Sequence, residues 1–314
     1  MVITAAGTAT AYGLARSLRD RWGSDVTLVG ADTGPPELVP AEPLLDDCRR
    51  VPASDDPDFP AALDAVLRDH APALYVPLID SEIAAAAARA EAGTLPDGVT
   101  LPWPGARAAR LCADKLALAE ELLAAGLPAA PAARAAEADW SPEGVVVKPR
   151  DGFGGRGVRA FTDRHELERA RETFTDDELA QPLLAPPEIT VDAVALRDGR
   201  VRAVARERLA VRGGVATKAR VFEDAELAAL AARLAEVLGL RGAFCFQVMH
   251  DGDGRRLITD LNARPGGGTR MTVAAGVDVL CAPFADLWEL PVSDLMSPLQ
   301  DDRIVVRHFE ETVR

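Results

Sequence analysis

A chain of 314 residues is long enough for two or three packed domains. Hydrophobic residues make up 48% of the chain and charged residues 27%, which excludes a disordered or a fibrous protein. Acidic residues outnumber basic ones by 49 to 35, and the net charge of -14 repels the phosphates of nucleic acids and anionic lipids. We therefore expect no nucleic acid and no membrane partner, and a local basic pocket for any bound nucleotide.

The four cysteines lie far apart in the sequence and lack the spacing of a zinc site or of a disulfide framework. The sequence begins without the basic leader and apolar run of a signal peptide, and no uncharged stretch approaches transmembrane length. These features predict a protein of the reducing cytoplasm.

The first 105 residues alternate strand-like apolar runs with segments of helical periodicity. This alternation predicts a parallel sheet with helical crossovers, in a first domain at 1–105. Residues 33–60 are rich in proline and acidic residues and are predicted to be mostly loop. The predicted strands are 2–6, 26–31 and 74–79, and the predicted helices are 14–22, 59–69 and 83–92.

The rest of the chain has the pattern of an α+β region. Residues 107–126 are predicted to form one helix that ends at Gly126. Alternating apolar segments flank two glycine-containing turns, which is typical of β-hairpins. The predicted hairpins join 189–195 to 201–208 and 243–250 to 257–262, with a helix at 227–238 between them.

A glycine-rich loop follows the predicted strand at 145–147. The strand runs directly into Lys148, and glycines allow backbone N–H groups to approach phosphate oxygens while a lysine adds a point charge. No Lys-Ser or Lys-Thr pair follows the glycines, so this is not a Walker A loop. A plain hairpin loop with a surface lysine stays open as the alternative. The glycines of the loop are Gly152, Gly154, Gly155 and Gly157.

Oxygen-bearing side chains cluster on the second predicted hairpin. Asp260 and Asn262 are two residues apart and so share one face of a strand, and an even-length turn would place Gln247 on that same face, opposite Ile258 or Asp260. Such a set suits Mg²⁺, whereas a solvated polar face of an amphipathic hairpin is the alternative. Arg264 and the glycine run at 266–268 favour the metal and phosphate interpretation.

Four sequence blocks together resemble the ATP-grasp superfamily, most nearly its carbamoyl-phosphate-synthetase-like and amino-acid-ligase-like branches. The resemblance covers nearly the whole chain, and it depends on the order and spacing of the blocks rather than on any one of them. It implies an α/β (α+β) ATP-grasp fold, in which an N-terminal parallel α/β domain adjoins two α+β subdomains that clamp ATP at 106–185 and 186–314. The blocks are 112–115, 146–157, 181–192 and 246–265.

The resemblance also implies a nucleotide site. Lys115 and Lys148 would contact the ATP phosphates, and the loop at 152–157, with Gly154, Gly155 and Gly157, would close over them. The remaining contacts would be made by Gln181 and Leu183 with adenine and by Glu188 with the ribose.

A metal and catalytic site is implied as well. Gln247, Asp260 and Asn262 would hold one or two Mg²⁺ ions, for which Mn²⁺ would be able to substitute. Arg264 would stabilise the transferred phosphoryl group together with Lys115 and Lys148. The position of Asp260 is usually glutamate in the family and that of Gln247 often an acid, so the number of metal ions stays open.

The resemblance predicts an ATP-dependent carboxylate–amine ligase. It would form an amide through an acyl phosphate, releasing ADP and phosphate, from small-molecule carboxylate and amine substrates, with a homodimer as one possible assembly. Two alternatives stay open, namely a carboxylate or carbamate kinase and a nucleotide-binding module without catalysis. The segment 80–82 is open as well, either as a helix start or as part of a substrate cleft.

Overall fold

The computed structural model describes residues 1–152, 155–308 and 313. The N-terminal part contains a four-stranded parallel sheet in the order β3-β2-β1-β4. Its strands are β1 (Val2–Thr4), β2 (Val29–Asp32), β3 (Asp47–Arg50) and β4 (Tyr75–Val76), and its helices are α1 (Ala9–Trp22), α2 (Phe59–His70) and α3 (Asp80–Glu91).

Strand β3 corrects the prediction that residues 33–60 are mostly loop. It is the edge strand of the parallel sheet and pairs with β2, with Asp47 opposite Val29 and Arg50 opposite Asp32. Its four residues are polar or small and only partly buried. Backbone hydrogen bonds to β2, rather than an apolar face, therefore hold it in place, and apolar periodicity gave no signal for it.

The predicted helix at 107–126 is divided into two by Asp114. The first helix, α4 (Ala106–Ala113), ends there, and the Asp114 carboxylate accepts hydrogen bonds from the N–H groups of Leu116 and Ala117 at 3.1 and 3.3 Å. This N-cap starts a new helix, α5 (Lys115–Ala124). The division places Lys115 in the first turn of α5.

A small antiparallel sheet follows, in the order β5-β8-β6-β7. It has its own apolar cluster, in which Val145 and Val147 pack with Leu167. Its elements are β5 (Ala133–Arg134), β6 (Val145–Pro149), β7 (Arg159–Phe161), α6 (Arg164–Ala170) and β8 (Glu178–Pro182).

The C-terminal part is built on a six-stranded antiparallel sheet in the order β13-β12-β9-β10-β11-β14. Both predicted hairpins are part of it, as the pairs β9–β10 and β12–β13. The strands are β9 (Ala185–Ala195), β10 (Val201–Arg212), β11 (Val215–Phe222), β12 (Gly242–His250), β13 (Arg256–Asn262) and β14 (Arg303–Val306), and the helices are α7 (Ala225–Leu238), α8 (Thr269–Ala275) and α9 (Ala282–Leu287).

The six-stranded sheet has an apolar core on both faces. On one face Val191 packs in a cluster with Leu234 of α7. On the other face Val194 joins a cluster with Leu14 of α1 and Phe284 of α9, which ties the sheet to the N-terminal part. No helix within the described residues has the length and apolarity that crossing a bilayer requires. The division of the chain at residues 105 and 185 stays a prediction.

Candidate functional site

Polar residues interrupt one face of the six-stranded sheet. Because side chains alternate between faces along a strand, Thr190 and Asp192 of β9 point away from the core that contains Val191. The same alternation puts Arg206 and Arg208 of β10 on this face, since β9 and β10 pair in register. The polar face therefore begins where the apolar contact with the N-terminal part ends.

A β-bulge positions the oxygen-bearing residues of β12 and β13. Gln247 pairs with Asp260, but the next residue along β12, Val248, pairs with Ile258, which leaves Thr259 as an extra residue. In a strand without a bulge, Ile258 and Asp260 are two residues apart and would face the same side of the sheet. The bulge lets Ile258 pack in the core while Asp260 faces the polar side.

The larger of two adjoining cavities, about 490 Å³, lies between the small sheet and the six-stranded sheet. Lys148, at the end of β6, donates from Nζ to the carbonyl of the bulged Thr259 at 2.9 Å. Lys115 donates from Nζ to the carbonyl of Gly152 at 2.8 Å. Both lysines line this cavity. The sequence contains only one further lysine, Lys218, so two of its three lysines meet here.

Burial lowers the pKa of Lys148, the carboxylate of Asp260 opposes that effect, and the charge of Lys115 reinforces it. Two ammonium groups thus lie near each other in a partly enclosed space. This arrangement favours binding of a polyanion, which would offset both the burial and the repulsion.

The other predicted nucleotide residues divide between the walls of the larger cavity. Gln181 is buried and donates from Nε2 to the carbonyl of Ala130 at 3.2 Å, and Leu183 and Gly155 also line the cavity. Glu188 lines it too, paired with the guanidinium of Arg208.

Two glycines of the loop stand apart from this lining. Gly157 follows Gly155 in a left-handed conformation, at φ +72°, but does not line the larger cavity. Gly154 lies outside the described residues.

The smaller cavity, about 300 Å³, is bounded by the six-stranded sheet, the start of α1 and the glycine run at 266–268. Gln247 and Asp260 line both cavities, so the two spaces meet at these side chains. Its charged lining residues among those described are Arg156, Arg206, Arg208, Asp260 and Arg264.

Arg264 lies in the smaller cavity, tied to two partners. Its Nη2 donates to Asp80 Oδ2 at 2.6 Å and to Asn262 Oδ1 at 3.3 Å. Burial disfavours its charge, but the carboxylate of Asp80 outweighs burial and the pKa of Arg264 is raised. The guanidinium is therefore a fixed cation beside Asp260.

The segment 80–82 forms the first turn of α3, and its two acids have different surroundings. Ile79 is the N-cap residue and makes no side-chain cap bond, so Asp80 is not a cap but the partner of Arg264. Glu82 is buried and accepts a hydrogen bond from the hydroxyl of Tyr75. Burial raises the pKa of Glu82 to about 7.

The donor set fits one magnesium ion better than two. Within the described residues no group of three or more Asp, Glu, His or Cys side chains comes together in a way that could hold a metal ion. Asp260 supplies one carboxylate and Gln247 one amide oxygen, while the amide oxygen of Asn262 also accepts from Arg264. Mg²⁺ commonly binds through one or two carboxylates and completes its shell with waters and phosphates.

Sequence reasoning gave little weight to a buried network next to this site. Asp192 is fully buried and accepts hydrogen bonds from Arg206, Thr269 and Thr272. The sequence did contain a signal for this network, namely Asp192 inside the apolar strand 189–195. A buried acidic residue requires hydrogen-bond or charge partners, so its position predicts such a network.

The sequence and the fold were both compared with those of known proteins. Residues 174–311 match a family model described as ATP-grasp in the biosynthetic pathway with Ter operon. The structure of N5-carboxyaminoimidazole synthetase from Staphylococcus aureus complexed with ADP superposes with a TM-score of 0.76 at 16% identity, over 96% of this chain and 80% of that one. The chain therefore has an ATP-grasp fold, and its segment 174–311 is similar to an ATP-grasp family.

Other solved structures agree on the fold. L-amino acid ligase from Bacillus licheniformis has a TM-score of 0.70 at 17% identity, over 91% of this chain and 73% of that one. Pyruvate carboxylase from Rhizobium etli has a TM-score of 0.71 at 20% identity, over 95% of this chain, which spans only 29% of that protein. No curated protein sequence matches the chain. The matched family segment contains Glu188 and Asp260 but neither Lys115 nor Lys148.

Proposed function

We propose that this ATP-grasp protein is an ATP-dependent carboxylate–amine ligase. The observation that carries the proposal is the junction of two cavities at Gln247 and Asp260. One cavity contains two lysines suited to phosphates, and the other is lined by arginines suited to a carboxylate. A phosphoryl group bound in the first would face a carboxylate bound in the second.

The larger cavity would bind ATP. Lys115 and Lys148 would leave their backbone carbonyl partners for the phosphates, and the loop that contains Gly154, Gly155 and Gly157 would cover them. Gln181 and Leu183 would contact adenine, and Glu188 the ribose. Burial lowers the pKa of Lys148, and the nearby carboxylate of Asp260 opposes that effect, which suits Lys148 to this role.

Asp260, Gln247 and Asn262 would hold Mg²⁺, for which Mn²⁺ would be able to substitute. When bound there, the ion would offset charge on the phosphates. Asp260 is the one carboxylate of the set, so it would supply most of the attraction.

The residues of this chain would mainly position the substrates and neutralise negative charge. Arg264 would hold the substrate carboxylate in line with the γ-phosphate, and a carboxylate oxygen would attack phosphorus as the bond to ADP breaks. An amine would then attack the acyl carbon, phosphate would leave with the C–O bond electrons, and the amine would lose its proton to phosphate or water. Exclusion of water by the closed loop would protect the acyl phosphate.

The functions named for two proteins of similar fold support this class of reaction. N5-carboxyaminoimidazole synthetase was solved with ADP, and L-amino acid ligase is named as a ligase of amino acids. Their low identity to this chain leaves the substrates to be found by experiment. We also propose a cytoplasmic location, because the described cysteines are free thiols.

A mass-spectrometric screen tests the proposal. The protein would be incubated with ATP, Mg²⁺ and pooled carboxylates and amines, and ADP, AMP and new masses would be recorded. ADP together with a mass one water below the sum of two substrates is the expected result. AMP would contradict the acyl-phosphate route, ADP with an acyl phosphate but no amide would indicate a kinase, and ATP binding without turnover would indicate a binding module.

A further inference from the structure

Arg206 in the smaller cavity has one side of its guanidinium unused. Its side chain is 3% exposed, and it donates from Nε to Asp192 Oδ2 at 3.0 Å and from Nη2 to Asp192 Oδ1 at 3.4 Å. Nη1 has no hydrogen-bond partner within residues 1–152 and 155–308. A Cβ at Gly268 would collide with Nη1, and both residues line the cavity. A buried cation therefore keeps a free donor next to space that a ligand can enter.

The network behind Arg206 fixes its position. Asp192 is fully buried and also accepts from Thr269 Oγ1 at 2.8 Å and from Thr272 Oγ1 at 2.6 Å. Both threonines belong to α8, which begins directly after the glycine run at 266–268. Asp192 thus anchors the arginine and the glycine run to one another, so that the free side of Arg206 is held in place before any ligand binds.

A second guanidinium lies close to the first. Arg307 follows β14, donates from its backbone N–H to the carbonyl of Thr217 at 2.9 Å, and donates from Nη2 to the carbonyl of Gly267 at 2.8 Å. Burial lowers the pKa of Arg307, and the positive charge of Arg206 lowers it further. Two cations and a single buried carboxylate leave an excess of positive charge here, which an added anion would balance.

The opposite wall of the cavity offers a neutral donor, the hydroxyl of Thr10. Thr10, at the start of α1, lines the cavity beside Thr8, whose hydroxyl already donates to the carbonyl of Ala5 at 2.8 Å. A Cβ at Gly267 would lie 3.8 Å from Thr10 Oγ1. The N-terminal end of this 14-residue helix carries partial positive charge. The hydroxyl of Thr10 and the guanidinium of Arg206 thus line the same cavity, where both could donate to an oxyanion.

We propose that Arg206, supported by Arg307 and Thr10, binds a second, non-reacting oxyanion of the small-molecule substrate, either a carboxylate or a phosphate. This inference rests on the proposed function, in which Arg264 holds the reacting carboxylate. It narrows the substrate to molecules with two anionic groups. The lysines of the larger cavity serve ATP, so the oxyanion at Arg206 is distinct from the nucleotide phosphates.

Binding of matched anions to the protein saturated with Mg²⁺ and ADP tests the inference. Isothermal titration would compare glutarate with valerate, and 3-phosphoglycerate with glycerate. We expect at least one dianion to bind about tenfold more tightly than its monoanionic partner, which is about 1.4 kcal/mol. The pair that shows the difference identifies the anionic group as carboxylate or phosphate. Equal binding within both pairs, binding of neither dianion, or competition of the dianion with ADP would overturn the inference.

The variants separate this site from its surroundings. Arg206→Gln should abolish the preference for the dianion, but it removes the charge partner of buried Asp192. Arg307→Gln breaks no ion pair among the described residues and should lower the preference at least threefold, and Arg206→Lys should retain part of it. Arg202→Gln is the matched control, since Arg202 also lies on β10 and pairs with a carboxylate, Glu223, but does not line the cavity. An unchanged preference in Arg307→Gln and Arg206→Lys would overturn the inference.

Turnover distinguishes this inference from the proposed function. ADP release with monoanionic carboxylates, without any gain from a second anionic group, would overturn the inference and leave the ligase standing. A dianion preference that depends on Arg206, without ADP release for any substrate, would support the anion site and contradict the ligase.

Discussion

The two cavities hold their positive charges in different ways. In the larger cavity Lys115 and Lys148 donate to neutral backbone carbonyls, so either ammonium group can turn toward a ligand without leaving an acid unpaired. In the smaller cavity Arg206 and Arg264 are tied to carboxylates that fix their direction. The larger cavity therefore suits a ligand that carries much negative charge, and the smaller cavity suits a ligand of defined shape.

Removing a lysine from the larger cavity should have the largest effect on activity. We expect Lys148→Met to lower ADP release about 10³-fold, because a largely buried charge opposite the phosphates is lost. Steady-state measurement of ADP release would show this loss. Lys218→Met is the matched control, since Lys218 is exposed on β11. A loss below tenfold in Lys148→Met would contradict the role of Lys148.

The two acids at the start of α3 differ in their partners, since Asp80 pairs with Arg264 and Glu82 has no cation partner among the described residues. The pKa of Glu82 is raised from 4.5 to about 7. The folded state therefore keeps a proton that the unfolded state releases, and the free energy of unfolding should fall by about 3 kcal/mol as the pH rises from about 4.5 to 7.

Glu82→Gln should flatten this pH dependence, since a neutral amide can still accept from the hydroxyl of Tyr75. Urea unfolding at pH 5 and pH 8 would measure it. Glu236→Gln, at an exposed position of α7, should leave the dependence as in the original protein. An equally steep fall in Glu82→Gln would show that another group is responsible.

The fixed arginine next to the reaction centre should affect turnover more than binding. We expect Arg264→Gln to lower turnover about 10²-fold, with less than about a threefold change in ATP affinity, because Arg264 lies outside the larger cavity. Asp80→Asn keeps the charge of Arg264 but loosens its position, so its effect on turnover should be smaller. A larger change in ATP affinity than in turnover would contradict this division of roles.

The Asp260 carboxylate, which lines both cavities, should show the smallest effect, on the affinity for Mg²⁺. Asp260→Asn should weaken Mg²⁺ binding about tenfold, about 1.4 kcal/mol, since the one carboxylate of the donor set is lost. Titration of Mg²⁺ against ADP release would measure this. Asp253→Asn, in the turn of the same hairpin, is the control, because its carboxylate pairs with Arg255. Unchanged Mg²⁺ dependence in Asp260→Asn would remove Asp260 from the metal site.

Apolar patterns predicted much of the fold, and backbone effects account for the rest. The apolar run at 26–31 predicted the strand found at Val29–Asp32, and helical periodicity predicted the helix found at Phe59–His70. The strand at Asp47–Arg50 was missed because pairing of the backbone, not apolar side chains, holds it at the edge. The break at Asp114 was missed because the residues on either side share helical propensity, while one capping carboxylate separates the two helices.

The candidate site was predicted by residue type more completely than by geometry. Chemistry at fixed spacing pointed to Lys148, Gln247 and Asp260, and the structure brings all three to one cavity. The partners of Arg264 and Arg206 come from distant parts of the chain, so local spacing could not reveal the ion pairs with Asp80 and Asp192.

The bulge at Thr259 makes chain length, rather than side-chain identity, the sensitive variable in this hairpin. Replacing Thr259 with valine or serine keeps the extra residue and the carbonyl that Lys148 contacts. Deleting it would make Ile258 and Asp260 neighbours in a regular strand, still on opposite faces of the sheet, but it would remove the bulged carbonyl that accepts from Lys148. Along β13, one missing residue should therefore do more harm than a substitution at the same position.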